Sequence, residues 1–180
     1  MTKYVAILRG INVGGKRKIL MKDLKLLFEE LGFCNVQTYI QSGNVIFCGR
    51  EIASEVTLSE EIERAIFEKF GFEVPVILRT SEELAEILSN NPFLPKTDVS
   101  RLHVTFLNDF PKEENVEKIK NINFSPDSFC LTGKNVFINC AGNYHKTKLS
   151  NHFFENKLKV KATTRNWKTV MKLQELCRVI

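Results

Sequence analysis

The chain has only three histidines, a single tryptophan and no two cysteines close in sequence. Each shortage removes a class of function. Cys34, Cys48, Cys130, Cys140 and Cys177 form no C-x-x-C and share no zinc-type spacing with His103, His145 or His152. No H-E-x-x-H, paired-carboxylate, Ser-His-Asp or Cys-His grouping can be argued from spacing. The sequence therefore implies no metal and no cofactor, and an enzymatic assignment has no residues to rest on. Four of the five cysteines, Cys34, Cys48, Cys130 and Cys140, sit in or beside apolar strand-like runs, where a free thiol acts as a small hydrophobe. No apolar run approaches the roughly 20 residues that span a bilayer. The run Tyr4–Leu8 is too short for a signal-peptide core, so the expectation is a soluble, cytoplasmic protein with no membrane partner. Nine glycines and five prolines exclude collagen-like and low-complexity classes.

What remains is ordinary globular material. The 180 residues are 43% hydrophobic and 26% charged, and a chain of this length buries about 70% of the surface its unfolded form exposes. It needs no disulfide or metal staple. The net charge of +5 is mild. Its basic residues gather in two places, Lys16-Arg17-Lys18 and the stretch from His145 to Ile180. That clustering favours an anionic partner.

The apolar pattern predicts two similar halves. Tyr4–Leu8 reads as a strand, followed by a glycine-rich basic loop from Arg9 to Lys18. Met21, Leu24, Leu27, Phe28 and Leu31 recur at helical spacing, and Gly32 stops the helix. Val36–Ile40 and Val45–Cys48 form a hairpin around Ser42-Gly43-Asn44. Ser59 caps a second helix ended by Gly71. Val74–Leu78 is a strand at a sheet edge, because Pro75 lies near its start. Thr80-Ser81-Glu82-Glu83 is a capping box for a short helix. After the linker-like PFLPKTDVS (92–100), the order repeats: a strand at Arg101–Leu107, a helix opened by Pro111, strands at Phe129–Leu131 and Val136–Asn139, a helix over 147–158, a strand at Val160–Thr163 and a terminal helix. The hairpins SGNVIF (42–47) and GKNVFI (133–138) resemble each other. The expected fold is α+β: two tandem ferredoxin-like βαββαβ units packed together, each followed by a helix. Residues 1–90 make the first unit, 91–100 a linker and 101–180 the second.

In this strand order the end of the first strand and the turn of the hairpin lie at one edge of the sheet. RGINVGGKRK (9–18) is thereby placed beside QSGN (41–44). Arg9 and Lys16 bring charge. Gly14 and Gly15 bring backbone N–H groups that converge on an anion where glycine permits positive φ. Asn12, Gln41, Ser42 and Asn44 bring neutral hydrogen bonds. Gly10–Lys16 matches the first seven places of a P-loop, but Arg17 stands where Ser or Thr must hold Mg²⁺, and the helix starts too late. An RNA-recognition motif is also disfavoured, since its third strand needs several exposed aromatics and SGNVIFCG offers Phe47 alone. A second corner is TTRNWKTV (163–170). Thr164 or Asn166 caps the last helix, Arg165 and Lys168 add charge, and Trp167 is either a stacking platform or a buried anchor.

RGINVGGK at 9–16, TYIQSGNVIF at 38–47 and TTRNWKTV at 163–170 together resemble a bacterial family catalogued as domain of unknown function 1697. The resemblance runs from Tyr4 to the last helix. It implies a protein of this size with ferredoxin-like subdomains, and it brings no established activity, substrate or cofactor.

The sequence thus points to a binding protein for a small anionic ligand, a phosphate or a carboxylate, held by Arg9, Asn12, Gly14, Gly15, Lys16, Gln41, Ser42 and Asn44, with Arg165 and Trp167 as further candidates. A nucleic-acid-binding module using the basic C-terminal third is the alternative. An enzyme whose groups only the fold assembles is the third class.

Overall fold

The central strands of the first sheet are continuous apolar runs, and the strand period of two divides their side chains between two buried faces. In the computed structural model, which describes residues 1–49 and 54–180, β1 (Thr2–Leu8) sends Tyr4, Ala6 and Leu8 to one face of a sheet. There they meet Val45 and Phe47 of β3 (Asn44–Gly49) and Val76 and Leu78 of β4 (Val76–Thr80). The same cluster takes Leu24, Leu27 and Phe28 from α1 (Met21–Glu30) and Leu58, Ile62 and Ile66 from α2 (Glu55–Phe70). Their spacing places one apolar stripe on each helix. Phe28, Phe33 and Phe47 pack at centroid distances of 4.6–5.9 Å, close enough for edge-on aromatic attraction. The intervening Val5, Ile7, Ile46 and Ile77 are buried on the opposite face.

With β2 (Cys34–Tyr39) the sheet has the order β2-β3-β1-β4 and every neighbouring pair is antiparallel. α3 (Ser81–Ser89) follows β4 at once. The expected capping box forms: the Thr80 N–H donates to Glu83 Oε2 (2.9 Å) and the Glu83 N–H to Thr80 Oγ1 (3.2 Å).

The second half repeats the order. β5 (Leu102–Leu107), α4 (Glu113–Lys120), β6 (Ser128–Thr132), β7 (Asn135–Asn139), α5 (Asn151–Leu158) and β8 (Ala162–Asn166) give an antiparallel sheet ordered β6-β7-β5-β8. Leu107, Val136, Ile138 and Ala162 bury against Ile119, Phe154 and Leu158 of its two helices. α6 (Trp167–Val179) continues directly from β8. The described residues thus form an α+β protein of two four-stranded antiparallel sheets and six α-helices. By compactness the chain divides into Met1–Glu86 together with Lys172–Ile180, and Ile87–Met171. Residues 172–180 group with the first unit although they follow the second in sequence. Among the described residues no helix is long and apolar enough to cross a membrane.

Some boundaries differ from the sequence expectation. Ser59 caps nothing: α2 already runs from Glu55, and the Ser59 hydroxyl donates back to the Val56 carbonyl (2.8 Å). The buried Leu58 sits before Ser59 on the same apolar stripe as Ile62, so packing carries the helix past the serine. α5 begins at Asn151 rather than near Thr147, because the Ser150 hydroxyl accepts the Phe153 N–H (3.2 Å) as its cap. Pro75 precedes β4 instead of lying within it, and β4 is an edge strand as expected.

Candidate functional site

Two antiparallel neighbours of β1 bring the glycine-rich loop to the hairpin. Ile7 stands opposite Asn44, and one residue later the Leu8 N–H donates to the Gly43 carbonyl at 2.8 Å. The Arg9 N–H then donates to the Pro75 carbonyl at 2.9 Å. The loop therefore leaves β1 pinned on both sides.

Beyond Arg9 the loop folds into a miniature hairpin. Val13 and Lys16 form a β-bridge, closed by the Lys16 N–H on the Val13 carbonyl (3.1 Å). Between them Gly14 and Gly15 have φ of 58° and 74°, the signature of a two-residue type I′ turn, in which both central residues need positive φ. Ile11 and Ile19, both buried in the helix-side core, anchor the ends of the loop.

Asn12 ties this loop together. Its Oδ1 accepts the Ile19 N–H (2.9 Å), while its Nδ2 donates to the Ile19 carbonyl (2.9 Å) and to the Gln41 carbonyl (3.0 Å). The side-chain amide stands in for a strand partner and reaches the hairpin turn as well. Asn44 does the equivalent inside the turn. It is fully buried, and its Nδ2 donates to the Tyr39 carbonyl (2.9 Å) and to Ser42 Oγ (3.3 Å).

The structure thus brings Arg9, Asn12, Gly14, Gly15, Lys16, Gln41, Ser42 and Asn44 to one corner of the first unit. Within it Asn12 and Asn44 hold backbone, and Ser42 is half-buried. Lys16, Arg17, Lys18 and Gln41 are exposed and Arg9 is half-buried. A Cβ on Gly14 or Gly15 would meet nothing within 4 Å, whereas one on Gly10 would stand 3.2 Å from Arg17 Nη1. The Arg17 guanidinium therefore folds back over the start of the loop. The corner thus exposes Lys16, Lys18 and two open glycines, with Arg17 turned toward Gly10.

Arg165 and Trp167 lie in the second unit. Arg165 is in β8 and Trp167 opens α6. Arg165 is buried, and its Nη1 donates to the Thr164 carbonyl (2.9 Å) and Thr163 Oγ1 (3.2 Å). Burial lowers its pKa to about 10. Trp167 is only 2% exposed, which matches an anchor of the helix. Asn166 caps that helix, accepting the Thr169 N–H at 2.8 Å. The Thr164 hydroxyl instead lies 2.7 Å from that of Thr105 and donates to Asn151 Oδ1.

A residue passed over in the sequence occupies the matching place in the first unit. Arg79 of β4 is 1% exposed, and its Nη1 donates to the Leu78 carbonyl (2.7 Å). Burial lowers its pKa, opposed by the charges of Glu83 and Glu55. Arg79 stands opposite Val5 of β1, as Arg165 stands opposite Val104 of β5. Each arginine precedes a capping residue, Thr80 or Asn166, and then a helix. The signal was present in the sequence as LRTSEEL (78–84) beside TRNWKTV (164–170).

Two antiparallel βαββαβ units with this loop and hairpin define the class of protein. The family model described as "Protein of unknown function (DUF1697)" matches residues 1–137, and the chain belongs to that family. Among solved structures it is similar to the conserved bacterial protein SP0830 from Streptococcus pneumoniae, with 26% sequence identity over 98% of each chain and a TM-score of 0.73. No curated protein matches the chain.

Proposed function

We propose that this protein binds a small anionic, phosphate-bearing ligand at the corner formed by residues 9–18 and 41–44. The observation carrying this reading is the division of labour in the loop. Asn12 and the buried Ile11 and Ile19 hold it rigid, while Gly14, Gly15, Lys16, Arg17 and Lys18 face solvent. A loop whose backbone is already held loses little entropy on capturing an anion, and exposed Lys and Arg bond phosphate oxygens with charge assistance. Arg9 and Lys16 supply charge, Gly14 and Gly15 allow close backbone approach, and Gln41 and Ser42 border the ligand. Asn12 and Asn44 serve it by holding the corner in shape.

The surrounding fold is read as two ferredoxin-like units, supported by the strand orders β2-β3-β1-β4 and β6-β7-β5-β8. A cytoplasmic setting belongs to this reading, supported by a sequence in which no two cysteines lie close together as in a disulfide-dense secreted domain. The test is calorimetry with inorganic pyrophosphate on the wild type and an Arg9→Gln/Lys16→Gln double variant. Loss of two charge-assisted contacts should weaken binding by at least about tenfold. A folded double variant that binds as tightly as the wild type would remove the site.

One observation favours a nucleic acid as the alternative partner. Within residues 143–171, Lys146, Lys148, Lys157, Lys159, Lys161 and Lys168 are all exposed, and Glu155 is the one acidic residue of the stretch. Retention on single-stranded RNA should then fall steeply with salt as phosphate contacts are lost. Failure to bind in low salt would end this reading.

A further inference from the structure

Strands β2 and β3 place Cys34 and Cys48 directly opposite each other. Direct partners on neighbouring antiparallel strands have Cα atoms about 4.5–5.5 Å apart and side chains on the same face. A disulfide needs a Cα separation of roughly 4.4–6.8 Å, so backbone pairing meets the Cα requirement for a bridge between the two residues. Cys34 Sγ already lies over β3, 3.5 Å from the Cys48 carbonyl oxygen. The register shifts immediately after Cys34, and Asn35 has a φ of 53°. Asn35 and Val36 therefore face the single Phe47, a β-bulge that lets this end of the strand adjust. Asn35 Nδ2 reaches Cys48 Sγ at 3.8 Å, which fixes that sulfur on the β2 side of β3.

The two thiols differ in access. Cys34 is half-buried, whereas Cys48 is 6% exposed. Of the two, Cys34 is the more open to a small oxidant, and Cys48 is the more covered. The third cysteine of this unit, Cys177, is fully buried. Burial pushes its thiol pKa up to about 12, with Lys3 opposing and Cys48 and Glu82 reinforcing. It stays protonated at neutral pH and does not compete as a nucleophile.

The geometry points to Cys34 and Cys48 as a reversible dithiol–disulfide pair, oxidised by a low-molecular-weight disulfide such as glutathione disulfide. The Cys34 thiolate attacks one sulfur of glutathione disulfide, whose S–S bond breaks and releases one glutathione thiolate. Cys48, its proton given to solvent, then attacks the Cys34 sulfur of the mixed disulfide and expels the second glutathione. Two protein thiols lose two electrons in all, and one glutathione disulfide becomes two glutathione molecules. Excess glutathione drives the same steps backwards. The bridge closes the hairpin at the end opposite to Gln41 and Ser42, so the inference stands apart from the anion-binding reading.

The test is oxidation of the folded protein with glutathione disulfide at neutral pH, followed by alkylation, proteolysis and mass spectrometry. Two of the five thiols should disappear. A peptide pair joined through Cys34 and Cys48 should appear, lighter by two hydrogens than the separate peptides, with no glutathione retained. In Cys48→Ser a glutathione adduct should accumulate on Cys34, and in Cys34→Ser the Cys48 thiol should persist. The wild-type mapping decides the matter even if a variant fails to fold. A lasting glutathione adduct on wild-type Cys34, a bridge through Cys177, or retention of all five thiols while free dithiothreitol is oxidised in the same buffer would each overturn it.

Discussion

Gly43 approaches Ile11 so closely that a Cβ on the glycine would stand 2.7 Å from Ile11 Cδ1 and 2.9 Å from Leu8 Cβ. The hairpin turn and the glycine-rich loop touch at this point, and their contact depends on the missing side chain. Gly43 also has a φ of 85°. Gly43→Ala should combine a left-handed backbone penalty with overpacking and cost about 2–4 kcal/mol. Gly15→Ala carries the backbone penalty alone, about 1–2 kcal/mol, because a Cβ there meets nothing. Urea denaturation of both variants checks the difference; equal losses would mean that the close approach contributes nothing.

Asn12→Asp preserves the shape of the clamp and removes its donor. A carboxylate oxygen would then face the carbonyls of Ile19 and Gln41 that Nδ2 now serves. The expected loss at neutral pH is about 2–3 kcal/mol, easing in acid as the carboxyl regains a proton to donate. Pyrophosphate binding should weaken in parallel, since the loop loses its tie to the hairpin. Unfolding curves at neutral and acid pH that show no difference from wild type would exclude Asn12 as a structural clamp.

His103 stacks on Tyr144 at 4.5 Å between ring centroids. Burial holds its imidazole below the ordinary histidine pKa; a hydrogen bond with the Arg101 backbone opposes this and the charge of His145 adds to it. The unfolded chain therefore takes up the His103 proton more readily than the folded one. The stability this neutral histidine contributes is intact above the unfolded pKa and declines as the pH falls from that value through the lower folded one. His103→Phe keeps a ring on Tyr144 and should flatten this part of the acid dependence. Chemical denaturation between neutral and mildly acid pH, compared for the two proteins, measures the effect. A variant curve parallel to wild type throughout would show that His103 is not a source of the pH dependence.

Trp167, the only tryptophan, reports on the second unit. At 2% exposure its fluorescence should be blue-shifted and resist iodide until the protein unfolds. Trp167→Ala should cost about 3–5 kcal/mol. Ready quenching in the native protein would place the ring at the surface and reopen a stacking role for it.

The corner was legible because it depends on strand order. Short apolar runs and the Ser42-Gly43-Asn44 turn signal suffice to put the loop after β1 beside the hairpin turn. The roles of the amides were not legible. Asn12 and Asn44 read as ligand donors, since nothing in composition shows that Asn12 would adopt a φ of 56° and aim its side chain at Ile19 and Gln41. Arg79 is illegible for the opposite reason. A charged residue looks like the end of a strand, yet period-two alternation puts it on the face of Ile77, and that face is buried. Ser59 followed by Glu60 and Glu61 imitates a helix cap, while the burial of Leu58 carries α2 further toward its N-terminus.

The first unit joins Met1–Glu86 to Lys172–Ile180. On the ribosome its sheet can form early, but Lys3 waits for the Arg178 carbonyl it binds in the finished molecule until residues 172–180 have been translated. Residues 1–86 therefore lack that stretch throughout the synthesis of everything between, and a ribosome stalled near residue 170 holds their unit still incomplete.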